Sequence, residues 1–484
     1  MKKAKFFTIF CTFLLLFSAF STNLTSYAAY SPSFDLYSEG IFMVNLDTDI
    51  VVASKNPDKK LYPASTAKIM TCLVALENVK DFNATVECPY TCFNEFTWDY
   101  SSEYYNPNFA GASNAAIEGL QENITYQDCM YALMLRSGCE AANILAYNIS
   151  GSMDKFADLM NETAKKIGCK NTHFSNAHGL FAEDNYTTAY DMYLITRYAI
   201  DKYPGFMKIC STDEYDMPAN YNNPDGYTIY STNSMMDVSS DYYDVGVKGI
   251  KTGSIDEYYL FRNGDWDTAN PVEGFCSLVT YCERDGYKYL IVTLQAPYYN
   301  ENGESKITHF EDHKALYNWA YSEFEIKQVI GKNQQVMTVG VEMGKNTDEV
   351  GIVTTEEFST LIPKSLDSSA IQQIYPTIEP FRAPVSKGES VGVLVLKLNG
   401  ETLTTIPLET ETDIALDSIA KYKDRLKTVL GSPGVIASFV ILIVMIIAFA
   451  VSKAITKRIL ANNRDMQRRR KIQMAPTNRD NRRR

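Results

Sequence analysis

Cysteine patterns typical of metal sites are missing from this sequence of 484 residues. No two of its ten cysteines form a C-x2-C pair, and the closest two, Cys88 and Cys92, match no strong metal signature. Cys11 lies in an apolar N-terminal run, and its loss would leave nine cysteines, an odd number. Others, such as Cys72 and Cys129, lie within apolar helical patterns that are typical of small core residues. We therefore expect neither a metal site nor a disulfide framework.

Excess positive charge is absent from the main body of the chain. Residues 453–484 carry 12 lysines and arginines against two acids, and residues 1–28 carry three lysines and no acid. Because the whole chain has a net charge of −12, residues 29–452 have a net charge of −25. Because nucleic acid is also negatively charged, we do not expect so acidic a region to bind it. The length predicts two or more domains, and 45% hydrophobic residues are enough for a large core.

Two apolar runs near the ends of the chain lack charge. The first follows Lys2, Lys3 and Lys5 and ends at Ser26-Tyr27-Ala28, which is typical of a secretory signal peptide at 1–28. An uncleaved N-terminal anchor is the alternative. The second run, 435–452, would extend about 27 Å as a helix and predicts a transmembrane helix; a buried soluble helix is the alternative. The basic tail at 453–484 then predicts a cytoplasmic tail and an extracytoplasmic main body.

Between these runs, the apolar pattern predicts a mixed α/β region at 34–324 and a small all-β module at 325–413. Residues 203–240 lack a regular pattern, and Val245–Ile250 reads as a strand. An amphipathic helix and linker at 414–434 precede the transmembrane helix. Helices are predicted at 68–79, 124–136, 140–149, 153–167, 190–200, 309–321 and 414–430.

Ser65 lies three residues before Lys68, where an extended segment gives way to an apolar helix. On a helix these two side chains share one face and can touch. Burial lowers the pKa of a lysine, so a buried Ser–Lys pair can act as an activated nucleophile and base. The alternative is a helix-capping serine followed by a solvated lysine, because S-x-x-K is a frequent pattern.

Two further short motifs could complete such a site. Ser137 and Cys139 occupy a tight connection between two predicted helices, a geometry that aims short side chains into a cleft. A capped helix–helix turn explains that segment equally well. Lys251-Thr252-Gly253 follows the predicted strand at Val245–Ile250. Each motif alone is weak evidence.

Taken in this order, the motifs resemble those of the serine-type D-alanyl-D-alanine carboxypeptidases, the low-molecular-mass penicillin-binding proteins. The resemblance covers about 34–413 and includes the segments 63–71, 176–180, 186–189 and 249–253. It implies a β-lactamase/transpeptidase-like α/β (α+β) catalytic domain, then a small β-sandwich-like domain and a C-terminal transmembrane helix. The implied partners are peptidoglycan stem peptides ending in D-Ala-D-Ala, β-lactam antibiotics and membrane lipid. No metal or organic cofactor is implied.

The resemblance also implies roles for individual residues. Ser65 would attack the penultimate carbonyl, Lys68 would take its proton, and Ser137 would pass a proton to the departing D-alanine. Backbone N–H groups of Ser65 and Ser254 would form the oxyanion hole.

Substrate binding is assigned to the third motif. Lys251 and the Thr252 hydroxyl would hold the terminal carboxylate, and Gly253 would leave room for the substrate backbone.

The second motif departs from the family pattern. Cys139 stands where the family usually has asparagine, and a thiol is a weaker donor and acceptor than an amide. Two alternatives to an active carboxypeptidase therefore stay open, a β-lactamase and a catalytically impaired penicillin-binding scaffold.

His309 and His313 have a metal-ligand spacing, but an exposed helix face is the preferred interpretation. His178 is interpreted as a structural residue.

Overall fold

The structure is a computed structural model that describes residues 30–97, 109, 112–256, 261–262, 265–266, 273–298, 307–398 and 400–473. The predicted signal peptide and the end of the basic tail lie outside these residues. The chain forms two compact units. The first comprises the described residues up to Lys327 together with Ser359–Asp367, and the second comprises Gln328–Phe358 together with the described residues from Ser368 onward.

A five-stranded antiparallel sheet divides the first unit. Its strands, given in chain order, are β1 (Gly40–Asn45), β2 (Ile50–Lys55), β3 (Lys251–Ile255), β4 (Phe275–Arg284) and β5 (Tyr287–Pro297). Their spatial order is β2-β1-β5-β4-β3, so β3 is an edge strand. Side chains of β1 alternate between two cores, with Phe42 and Val44 on one face and Ile41 and Met43 on the other. Both faces of the sheet are therefore covered.

Helices on one face of this sheet surround a buried helix, α1 (Lys68–Asn78), whose residues from Lys68 to Ala75 are all buried. A 3-10 helix, Ala64–Ala67, leads directly into it. Thr125, Ser152 and Thr188 cap neighbouring helices through their side chains, which satisfies otherwise unpaired backbone N–H groups. The surrounding helices are α2 (Tyr126–Leu135), α3 (Cys139–Ser150), α4 (Met153–Ile167), α5 (Ala189–Lys202) and α6 (Pro204–Cys210).

The opposite face of the sheet is covered by α7 (Thr308–Glu323), which carries His309 and His313. Both histidines are buried, so the predicted exposed helix face is wrong. The ring nitrogens of His313 lie 2.7 Å from Thr280 Oγ1 and 2.9 Å from Thr293 Oγ1, in the middle of the sheet. Metal-ligand spacing on this helix thus reflects core packing.

Two other sequence predictions need correction. Val245–Ile250 is not a strand; the strand begins at Lys251, because the preceding residues make only isolated backbone bonds to β4, such as Lys248 N to Tyr281 O. The segment 203–240 is not wholly irregular, since it holds α6 and a small hairpin of Glu214–Met217 and Tyr227–Tyr230. Pro204 occupies the first turn of α6, where its missing N–H has no cost.

The second unit contains a six-stranded sheet and two helices. Gly400 has φ +87° between two of its strands, at the turn that Asn399-Gly400 predicts. The strands are Gln335–Glu342, Glu349–Thr354, Gln372–Ile374, Phe381–Arg382, Ser390–Leu398 and Glu401–Thr410. A separate two-stranded sheet pairs Phe324–Ile330 with Phe358–Pro363.

The two C-terminal helices span Ser418–Leu430 and Pro433–Gln473. The first begins four residues later than the predicted start at Ile414, because Asp417 caps it and Ile414 bridges to Val385 instead. In the second, the stretch Pro433–Arg470 is long and apolar enough to cross a membrane, and the described part of the chain contains no other such helix.

Candidate active site

Ser65 lies in the 3-10 helix, one turn before α1 begins. The preceding residue, Ala64, has φ +48°, a left-handed conformation that is strained for alanine. Gly179 packs against this turn, and a Cβ at Gly179 would lie 2.0 Å from the Ala64 carbonyl oxygen. The loop that carries Asn176–Leu180 therefore presses directly on the backbone that presents Ser65.

Lys68 has a fully buried side chain whose amine has three polar neighbours. Its Nζ lies 2.9 Å from Ser65 Oγ, 2.6 Å from the His178 carbonyl oxygen and 3.4 Å from Cys139 Sγ. A neutral amine has two N–H donors and one lone pair. If the carbonyl and the sulfur accept the two N–H groups, the lone pair is left for the Ser65 hydroxyl proton.

The protonation state of Lys68 is set by opposing effects. Burial, the largest effect, lowers the pKa of Lys68 below its usual value, whereas Cys139 and Glu140 act to raise it. Burial prevails, so the pKa of Lys68 moves in the direction that a general base requires.

The second motif forms the turn between α2 and α3. Ser137 is buried with φ +64°, and Cys139 begins α3. The Cys139 N–H donates to the Ser113 carbonyl, and Cys139 Sγ lies 3.6 Å from Ser113 Oγ. Strained backbone of this kind often marks functional positions, and here it occurs directly before Ser65 and again at Ser137.

Lys251 begins the edge strand β3 and is buried beside Lys68. Its Nζ donates to the Thr252 carbonyl at 3.0 Å. Burial, and then the positive charge that Lys68 carries when it is protonated, lower the pKa of Lys251 to about 7. Thr252 Oγ1 lies 2.5 Å from the hydroxyl of Thr232. Residues of all three motifs thus lie in one region of the first unit, and the Lys251 amine there donates a hydrogen bond to a backbone carbonyl.

Gly253 and Ser254 follow on the same strand. A Cβ at Gly253 would lie 3.0 Å from Ser65 N and 3.1 Å from Thr66 N. The absence of a side chain therefore lets the nucleophile turn pack on β3, a different reason from the space for substrate that the sequence suggested. Ser254 is exposed, which leaves it accessible beside the turn.

Two contributors to this site were not expected from the sequence. The His178 carbonyl holds Lys68, although only the His178 ring had been considered. Glu140 directly follows Cys139 and is buried, and burial raises its pKa. Its Oε1 accepts from Ala115 N, and its Oε2 has no hydrogen-bond partner among the described residues. No sequence signal separates a buried glutamate from the many exposed ones.

The His178 ring faces away from the Lys68 amine toward a packed shell. Its Nδ1 accepts from Leu180 N, and its Nε2 lies 3.3 Å from Glu95 Oε1. Burial is the main effect on His178 and lowers its pKa, and Phe96 and Phe109 pack edge-on against the ring. A ring so enclosed has a structural role.

Among the described residues, no group of three histidine, cysteine or acidic side chains could hold a metal ion. The nine cysteines in the described ranges are all free.

Known families match both units. Residues 26–258 match the family model of the D-alanyl-D-alanine carboxypeptidases, and residues 324–415 match the model of the penicillin-binding protein 5 C-terminal domain. The carboxypeptidase DacF of Bacillus subtilis is 27% identical over 372 residues, covering 77% of this chain and 84% of DacF. DacC of Escherichia coli is 27% identical over 399 residues, covering 82% and 88% of the two chains.

The fold is shared with solved structures. Penicillin binding protein 5 from Haemophilus influenzae superposes with a TM-score of 0.55 at 21% identity, covering 79% of this chain and 99% of that one. This similarity confirms the predicted α/β catalytic domain followed by an all-β domain. From its two matched units and its curated relatives, the chain belongs to the D-alanyl-D-alanine carboxypeptidase family.

Proposed function

We propose that the chain removes the terminal D-alanine from peptidoglycan stem pentapeptides through an acyl-enzyme on Ser65. The observation that carries this proposal is the 2.9 Å approach of Lys68 Nζ to Ser65 Oγ in a desolvated site. Burial lowers the pKa of Lys68, which favours the neutral amine, and the His178 carbonyl accepts a hydrogen bond that orients it. The names of the relatives support the choice of substrate.

In the acylation step, Ser65 Oγ forms a bond to the penultimate carbonyl carbon while Lys68 accepts the hydroxyl proton. The oxyanion is stabilised by backbone N–H groups of Ser65 and Ser254. The C–N bond to D-alanine then breaks, and the nitrogen receives a proton through the Ser137 hydroxyl. Water attacks the ester, and free Ser65 returns with the shortened peptide as product.

Cys139 has a positioning role in this scheme. Its sulfur occupies one donor of the Lys68 amine, at 3.4 Å, where the family asparagine would offer an amide oxygen. Ser65, Lys68 and Ser137 are all retained, so we expect an active enzyme rather than an impaired scaffold. A β-lactam would acylate Ser65 by the same step, and water would hydrolyse the resulting acyl-enzyme slowly.

The protein is proposed to act outside the cytoplasm. The helix Pro433–Arg470 supports a membrane anchor. The N-terminal pattern at 1–28 supports export, and the basic residues after 452 support a cytoplasmic tail.

The test uses full-length protein in detergent, incubated with fluorescent penicillin and separately with a pentapeptide ending in D-Ala-D-Ala. We expect stable labelling together with release of D-alanine. Rapid turnover of the penicillin would instead identify a β-lactamase, and labelling without D-alanine release would identify an impaired scaffold. Ser65→Ala should abolish labelling and release, whereas Ser239→Ala, on an exposed segment, is the matched control.

A further inference from the structure

Glu95 is a half-buried carboxylate on a short 3-10 helix, Asn94–Phe96, in the connection between α1 and α2. Its Oε1 lies 3.3 Å from His178 Nε2 and also accepts a hydrogen bond from Asn143 Nδ2. One carboxylate oxygen therefore bonds two separate parts of the first unit, the loop that carries His178 and the helix α3.

These two parts supply two of the three polar neighbours of the Lys68 amine. The His178 carbonyl oxygen lies 2.6 Å from Lys68 Nζ, and Cys139 Sγ, at the start of α3, lies 3.4 Å from it. Asn143 follows Cys139 by one helical turn, so the two side chains lie on the same face of α3. Glu95 thus links the two elements between which the amine is held.

The peptide group that contains the His178 carbonyl is fixed at further points. Its N–H belongs to Gly179 and donates to Asn176 Oδ1 at 2.7 Å. The His178 ring accepts from Leu180 N at 3.2 Å through Nδ1, so in the neutral ring the proton is on Nε2, which faces Glu95. A ring that is bonded at both nitrogens holds its own backbone in place, and with it the orientation of the carbonyl.

The contact between Glu95 and His178 joins an anion to a neutral ring. Burial raises the pKa of the Glu95 carboxyl, but His178 and Asn143 lower it by more, so the carboxylate is ionised at neutral pH. Burial lowers the pKa of His178; Glu95 acts to raise it, and the positive charge of protonated Lys68 acts to lower it. The outcome is a lowered pKa and a neutral donor. A hydrogen bond to an ionised acceptor is stronger than one between neutral groups.

We propose that Glu95 is a positioning residue for the Lys68 base. By bonding both the His178 ring and Asn143, it keeps the loop and α3 at the spacing that orients the amine toward Ser65. The inference rests on the proposed acylation of Ser65 and deepens it. A misplacement of about 1 Å between reacting groups can cost about 100-fold in rate, so loss of this bridge should slow acylation and leave ligand binding almost unchanged.

The test measures acylation of the full-length protein in detergent by fluorescent penicillin, with the limiting rate constant and the noncovalent dissociation constant determined separately. We expect Glu95→Ala to lower the limiting rate constant about 10- to 100-fold and to change the dissociation constant less than about 2-fold. Glu95→Gln keeps an oxygen acceptor but loses the charge, so it should retain an intermediate rate constant. Glu87→Ala, at an exposed glutamate of the same connection, is the matched control and should keep the native rate constant.

The rate constant is determined per labelled site, which separates positioning from a role in folding. A folding role lowers the number of sites that label and leaves the rate constant of the remaining sites unchanged. That result, or a native rate constant in Glu95→Ala, overturns the inference. If Glu95→Ala yields no labelled sites, Glu95→Gln decides, because a native rate constant in that variant also overturns the inference.

Failure of the proposed function is recognised separately. Release of D-alanine from a pentapeptide ending in D-Ala-D-Ala is measured on the same samples. Native protein that labels with penicillin but releases no D-alanine contradicts the proposed carboxypeptidase function only. The inference is then still decided by the labelling rate constants of the two Glu95 variants.

Discussion

Replacement of Cys139 by asparagine tests how the lysine base is tuned. Cys139 Sγ lies 3.4 Å from Lys68 Nζ and acts to raise the pKa of that lysine against the larger effect of burial. A neutral amide at position 139 removes the charge contribution and keeps a hydrogen-bond acceptor. We therefore expect Cys139→Asn to lower the pKa of Lys68 further.

The size of the effect follows from the distance. The Cys139 sulfur accepts from Lys68 Nζ at 3.4 Å, and a hydrogen bond to a charged group contributes about 1.5–3 kcal/mol. The amide oxygen of asparagine recovers about 1 kcal/mol through its own hydrogen bond. At about 1.4 kcal/mol per pKa unit, the net expectation is a decrease of about 1 unit.

The assay is the second-order rate constant for acylation by fluorescent penicillin between pH 5 and 10. The rate rises with pH as Lys68 loses its proton, so a lower pKa moves the midpoint of the profile toward acid by about 1 unit. The plateau at high pH should fall, since a weaker base accepts the Ser65 proton less readily. Cys169→Ser, outside the site, is the control. A midpoint that stays in place or moves toward alkali refutes this account of Cys139.

Three further predictions concern packing and titration. Gly253→Ala should slow penicillin acylation about 10-fold or more with the fold retained by circular dichroism, because the new Cβ would lie 3.0 Å from Ser65 N. Gly179→Ala should lower the free energy of unfolding by more than about 2 kcal/mol in urea denaturation, and Gly151→Ala, with the same φ of +80° but open space, should cost less. Burial lowers the pKa of the His309 ring to about 3. Between pH 6 and 4 the unfolded chain therefore binds one more proton than the folded chain, and the free energy of unfolding decreases as the pH is lowered. His309→Phe should reduce that slope by about 1.4 kcal/mol per pH unit, and an unchanged slope would contradict the assignment.

Periodicity predicted most helices of the first unit within a few residues, and Met153–Ile167 without error. The errors fall where local signals conflict with tertiary packing. Residues 203–240 lack a regular pattern, but packing against α1 favours the helix Pro204–Cys210 there. Val245–Ile250 has strand-like composition, yet only isolated backbone bonds join it to β4. His309 and His313 are polar, and their burial depends on threonines from strands distant in sequence.

The candidate site, like the fold, could be predicted from the sequence only in part. Ser65, Lys68, Ser137, Cys139 and Lys251 could be selected from their order in the sequence. The structure places Ser65 and Cys139 within hydrogen-bond distance of the Lys68 amine, with Lys251 beside it. The carbonyl that holds Lys68 is a backbone group, and no side-chain motif can reveal which backbone oxygen reaches an amine.

Two buried lysines in one site constrain each other's charge. Desolvation disfavours the charged form of both Lys68 and Lys251, and a positive charge on Lys68 lowers the pKa of Lys251 further. When Lys68 is neutral, as a general base must be, that repulsion is absent and Lys251 holds its proton more readily. A base tuned by burial and a charged lysine on the neighbouring strand are therefore compatible in one site, whereas two charged lysines are not.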